Sequence, residues 1–118
     1  MDNLNKYFGQ FLGHIVEVKM DRPMNSKHPR YDFVYDVNYG FIPDTKAPDG
    51  EELDAYVLGI DKPLKNFRGK CIAIIHRLDD DDDKLVVVPD NFEDITDEEI
   101  INLVFFQEQW FKSVIVRP

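Results

Sequence analysis

Alternating and helical spacings of apolar residues succeed one another along the chain and delimit its elements. Leu4, Phe8, Phe11 and Leu12 are spaced for a short helix or docked arm over residues 2–12, although Gly9 and Gly13 weaken a helix there. From His14 to Met20 the pattern alternates, with Val16, Val18 and Met20 on one face and Glu17 and Lys19 on the other, as in a half-buried strand. Asp21-Arg22-Pro23 stops it, because proline has no N–H to give a ladder. Asn25–Arg30 reads as a polar, basic connection, and Phe33–Tyr35 and Tyr39–Ile42 as short strand pieces around Asn38. Asp54–Ile60 is a further strand with Ala55, Val57 and Gly59 on one face, and Lys62–Lys70 a turn bounded by Pro and Gly. Cys71–His76 is almost continuously apolar, as a central strand would be, and Lys84–Val88 is a β-branched strand closed by Pro89.

Near the end the period changes. Thr96 and Glu99 form a capping-box pattern with Asp97 and Glu98 in the first turn. Ile100, Leu103, Val104, Gln107, Trp110 and Phe111 then follow helical spacing, and Ser113–Val116 is a terminal extended piece. About five strands and one strong late helix predict an α+β, mainly β fold: a small five-stranded OB-like barrel, closed or partly closed, with one principal C-terminal helix. With no internal repeat or linker, residues 1–118 are expected to form a single domain.

Composition narrows the partners. At 43% hydrophobic content, with nine Phe, five Tyr and one Trp, the chain has the material for a core. Its formal charge of −9 disfavours nucleic acid and anionic membranes. The same charge repels a small anionic substrate unless a bound metal reverses the local sign. The single cysteine, Cys71, has no internal partner, and no leader or apolar span is evident, so a cytoplasmic location is expected.

The chemistry concentrates in two acidic stretches. Asp49-Gly50-Glu51-Glu52-Leu53-Asp54 leads into one strand and Asp79–Asp83 with Lys84 into another. An aspartate run is ordinarily a solvated loop, but each of these abuts a strand. Crowded carboxylates repel, and a hard divalent cation, Mg²⁺ or Mn²⁺, relieves them. If the two strands are neighbours, their loops face each other and can hold ions that clamp phosphoryl oxygens. Such chemistry also needs cationic and phenolic donors, for which Lys84, Lys112, Lys27, Tyr35 and Tyr39 are the candidates. Nucleotide-loop, dinucleotide, zinc-protease and C-x-x-C signatures are absent, and no serine has a plausible His–acid pair.

Tyr35-x-x-Asn38-Tyr39-Gly40-Phe41-Ile42, Asp49-Gly50-Glu51-x-x-Asp54 and Asp82-Asp83-Lys84-Leu85-Val86-x-Val88-Pro89 together resemble the soluble inorganic pyrophosphatases of the Mg²⁺-dependent, barrel-fold type. The chain is similar to a short, divergent member, over roughly residues 14–112. The resemblance implies Asp49 and Asp54 as metal ligands, Asp54 bridging two ions, with Asp79 (or Asp80) and Asp82 ligating further metal and Asp21 supporting an outer one. It implies Glu51 as the water-orienting base, and Tyr35, Tyr39, Lys84 and Lys112 as phosphate contacts. Glu51 stands where the family usually has Asp, which moves the carboxylate by about an ångström. The hairpin between Pro23 and Tyr35 is shorter than the family's and lacks its phosphate-binding arginine and lysine, with Ser26-Lys27-His28 and Arg30 the nearby substitutes. Phe111 or Trp110 replaces a tyrosine before the helix lysine, a lost hydroxyl donor worth roughly 10²–10³ in rate.

The expected activity is Mg²⁺-dependent hydrolysis of inorganic pyrophosphate by a metal-activated water, on a small-molecule phosphate substrate, without nucleic acid or membrane. A homo-oligomer is left open. Hydrolysis of a nucleotide or sugar diphosphate, in a pocket opened by the short hairpin, is the enzymatic alternative. A non-catalytic barrel that binds metal or a partner is the other.

Overall fold

A computed structural model describes residues 8–46, 50–79 and 82–118 of the chain. Six strands form one sheet: β1 (Ile15–Arg22), β2 (Asn38–Ile42), β3 (Leu53–Val57), β4 (Asn66–Arg77), β5 (Lys84–Val88) and β6 (Ser113–Val116). Their order is β1-β2-β3-β5-β4-β6, and β1 also pairs with β4, so the first five strands close into a barrel. A 3-10 turn (Asp90–Phe92) and helix α1 (Asp97–Glu108) lie between β5 and β6. The expected mainly β barrel with one principal helix near the C-terminus is the architecture found.

The twelve residues of β4 explain how closure works. Its first part pairs with β1, its far end with β6, and its other edge with β5 through a bulge between Cys71 and Ala73. The apolar pattern alone starts this strand at Cys71 and makes Lys62–Lys70 a turn. Asn66–Lys70 is instead strand, because it pairs with Ile15–Lys19 of β1, and Phe67 covers Gly69 within it. Gly40 has a sharper constraint, since a Cβ there would fall on the Lys19 backbone of β1.

The alternation sorts residues between two cores. Val18, Leu53, Ala55, Val57, Ile74, Leu85 and Val87 fill one cluster, which Phe8, Phe11 and Leu12 join. Tyr39, Tyr56, Ile75, Val86 and Val88 belong to a second, with Ile100 and Val104 of α1. Phe8 and Gly9 are helical, and the rest of the expected N-terminal arm, residues 2–7, lies outside the described residues. Thr96 caps α1 in a complete capping box. The buried positions of α1 are Ile100, Val104 and Glu108, whereas Leu103 and Trp110 of the expected stripe are exposed. Trp110 lies past the end of α1, where helical spacing no longer sets which way a side chain faces.

Candidate active site

The pairing of β3 with β5 is parallel, with Asp54 opposite Lys84, so the loops that enter both strands emerge at one end of the barrel. Asp54 and Tyr56 lie on the opposite face of β3 from Leu53, Ala55 and Val57, toward α1. Gly50, at φ 88°, allows the turn into β3. Thr45 ties that loop's ends, its hydroxyl donating to the Ile42 carbonyl and accepting from the Leu53 N–H.

Lys84 is 2% exposed. Its ammonium lies 2.7 Å from Asp54 Oδ2 and 2.8 Å from Asp82 Oδ1, and it donates to the Tyr39 hydroxyl at 2.7 Å. Tyr39 in turn donates to Asp54 Oδ2 at 2.9 Å. Burial and the Asp54 charge push the Tyr39 phenol well above its ordinary pKa, so it stays a neutral donor. From Asp82 the network continues to Arg77 at 3.2 Å, whose Nε and Nη2 grip Glu108 of α1 at 3.0 and 2.7 Å. Burial opposes the Arg77 charge, but the Glu108 bonds and neighbouring carboxylates outweigh it and raise its pKa. Tyr56 donates to Glu108 at 2.6 Å and is itself held neutral by burial and the Glu108 charge. Gln107 links Tyr56 to Tyr35, donating to the first at 2.7 Å and accepting from the second at 2.8 Å.

This network floors a cavity of about 870 Å³. Asp54, Asp82, Lys84 and Arg77 line its base, and rings from Tyr31 to Trp110 line its wall. Phe111 roofs Arg77, with the guanidinium carbon 3.6 Å from the ring centroid.

Of the residues singled out in the sequence, Asp54, Asp82, Lys84, Tyr35 and Tyr39 meet at this cavity. Asp21 is the extra residue of a bulge in β1 between Met20 and Arg22, the device that re-aims a side chain at a sheet edge. Burial raises the Asp21 pKa, and the Asp54 charge adds to the rise. Glu51 is exposed at the entry to β3 and Asp79 is exposed beyond β4, and neither lines the cavity. Asp49 and Asp80 lie outside the described residues. Lys27 sits on the rim of another cleft, in a hairpin where it bridges Val34. Lys112 lines a smaller cavity of about 340 Å³ behind Phe111. The structure therefore does not bring Lys27 or Lys112 to Lys84.

Asp54 and Asp82 are hard oxygen donors at adjacent strand starts, and among the described residues Asp54 Oδ1 accepts no bond. In kind, that donor set fits Mg²⁺ or Mn²⁺. Among the described residues, no group of three or more His, Cys, Asp or Glu could hold a metal, and the Lys84 ammonium stands between the two aspartates.

Sequence reasoning missed Arg77, Tyr56 and Glu108. The polar residues Gln107 and Glu108 at the apolar stripe of α1 were the available signal, because a buried acid requires a cation nearby. Arg22 was missed as well, although its charge acts on Tyr35, Asp21 and His28.

Comparison with known proteins gives one consistent result. The model of the family described as inorganic pyrophosphatase matches residues 15–114. The inorganic pyrophosphatase of Rickettsia prowazekii is 30% identical over 121 aligned positions, covering 85% of this chain and 70% of that protein. That of Rickettsia typhi is 31% identical over 109 positions, covering 75% of this chain and 61% of its relative, so the chain is distinctly shorter than the curated relatives it matches. Among solved structures, the inorganic pyrophosphatase from Ehrlichia chaffeensis superposes with a TM-score of 0.70 at 19% identity, covering 91% of this chain and 90% of that one, a likeness of fold.

Proposed function

Because the chain belongs to the inorganic pyrophosphatase family, we propose that it hydrolyses inorganic pyrophosphate to two phosphates with Mg²⁺, as a single domain in the cytoplasm. The observation that carries this reading is the parallel pairing of β3 with β5, which sets Asp54 and Asp82 on either side of Lys84 at the base of a cavity. Among the described residues no helix is long and apolar enough to cross a membrane.

Asp54 and Asp82 would hold the metal, with Asp49 and Asp21 as the further acids of the set, while Asp79, exposed beyond β4 and off the cavity, is given no part in it. A bound divalent ion supplies Lewis acidity toward water and the phosphoryl oxygens. Glu51, exposed in the loop entering β3 and off the cavity lining, would have to turn inward to orient the attacking water and take its proton. Lys84 and the neutral phenols of Tyr39 and Tyr35 would supply donors to charge that develops on the phosphoryl oxygens by giving up their present bonds to Asp54, Asp82 and Gln107. Arg77, anchored by Glu108, holds Asp82 in place. Lys27 and Lys112 line other clefts and are given no part in this step.

Phosphate release from pyrophosphate with and without Mg²⁺ tests the reading, alongside Asp54→Asn. Metal-dependent release that drops at least about a hundredfold in the variant is expected. Absence of release at every metal concentration would leave a binding module.

A further inference from the structure

The floor of the cavity suits a diphosphate, but the wall does not need one. Tyr31 and Trp110 are 63% and 61% exposed at its rim, a large apolar area left in water. Phe33 stacks on Tyr31 with planes 5° apart and lies 5.8 Å from Trp110, centroid to centroid. From Phe33 the rings descend through Tyr35 to Tyr39 in steps of 5.8 and 5.4 Å, and Lys84 Nζ is 5.3 Å from the Tyr39 ring. An unbroken aromatic ladder thus joins solvent to the buried ammonium.

A small inorganic anion makes no use of ring faces, and about 870 Å³ is the size of a pocket for an organic ligand. Flat heterocycles do use such faces, because stacking is tolerant of which ring is presented. Asp32 and Gln109, also on the wall, offer acceptors and donors to the edge of a ring or to sugar hydroxyls. At the floor, Lys84 and Arg77 are already balanced by Asp54, Asp82 and Glu108, so the anion would enter accompanied by its own divalent cation.

We infer that this cavity takes a nucleoside diphosphate as its divalent-metal complex, with the base against Trp110 and Phe33 and the phosphates at Lys84. This rests on the diphosphate-binding floor proposed above and adds a second ligand class to inorganic pyrophosphate. A sugar diphosphate, which lacks the flat ring, would use the floor and leave the wall bare.

Trp110 is the only tryptophan of the chain, so its fluorescence reports the wall directly. Full-length protein with Mg²⁺ is titrated with ADP, with methyl diphosphate and with inorganic pyrophosphate. ADP is expected to quench Trp110 saturably, methyl diphosphate to leave it unchanged, and pyrophosphate to displace ADP. By calorimetry, Trp110→Ala and Tyr31→Ala, checked for folding by circular dichroism, should each lower the ADP-to-pyrophosphate affinity ratio at least about fivefold. No quench by ADP at concentrations where pyrophosphate binds, quenching that pyrophosphate cannot displace, or an unchanged ratio in both variants would each overturn the inference. Pyrophosphate hydrolysis without ADP binding would leave the pyrophosphatase reading standing alone. ADP binding displaced by pyrophosphate, with no hydrolysis of either, would remove the catalytic reading and keep the ligand class.

Discussion

Asn38 is fully buried, and its amide serves three backbone groups at once. Oδ1 accepts from the N–H groups of Met24 and Leu64, and Nδ2 donates to the Lys62 carbonyl, so one side chain pins two loops beside Tyr39. Asn38→Ala leaves those groups without a partner and should cost about 2–3 kcal/mol in urea unfolding. Lys84→Met removes the ammonium from between Asp54 and Asp82, and pyrophosphate turnover at saturating Mg²⁺ should fall at least about a hundredfold. His28 sets a pH dependence. Its Nδ1 accepts from the Arg30 and Tyr31 N–H groups, which requires the neutral ring. Burial, then the charges of Arg22 and Arg30, lower its pKa below the ordinary 6.5. The folded chain therefore binds fewer protons at His28 than the unfolded chain does. The stability His28 contributes is complete above about pH 6.5 and is lost as pH falls through the lowered value. Denaturant midpoints at pH 7.5 and 5.5 should differ less in His28→Asn, whose side-chain oxygen keeps an acceptor without the titration.

At the scale of elements, the cap of α1 was legible because it is local. Thr96 accepts from the Glu99 N–H at 3.1 Å while Glu99 reaches back to the Thr96 N–H at 3.1 Å. Thr96→Ala should lower stability by about 1 kcal/mol, read as a fall of a few degrees in Tm. The bounds of β5 were legible for the same kind of reason, since five consecutive buried residues are closed off by Pro89. The start of β4 was not, because Asn66-Phe67-Arg68-Gly69-Lys70 carries no alternation of its own and becomes strand by pairing with β1. In the site, the acids before β3 and β5 could be read from sequence as two clusters, but their meeting depends on the parallel β3–β5 contact. The Arg77–Glu108 pair was out of reach for a further reason: its partners are joined only when α1 docks on the barrel.

That docking contact, with Ile100 and Val104, joins the helix to the barrel. Arg77 and Glu108 are 5% and 7% exposed, and their two hydrogen bonds tie the end of β4 to the end of α1 directly beneath the cavity. A buried pair is expensive to break and cheap to replace: loss of one partner strands a charge, whereas apolar substitution of both removes the desolvation penalty as well. Glu108→Leu alone should therefore cost about 3–5 kcal/mol, and Arg77→Met with Glu108→Leu should recover most of that loss in urea unfolding. Activity should not follow stability. Arg77 also holds Asp82, so the double variant is expected to fold well and still hydrolyse pyrophosphate poorly, because Asp82 has lost the guanidinium that fixes its carboxylate beside Lys84. Were the double variant as unstable as Glu108→Leu alone, the pair would be no more than a local contact. Were it fully active, Asp82 would not need its anchor, and the route from barrel to helix to site would be wrong at that link.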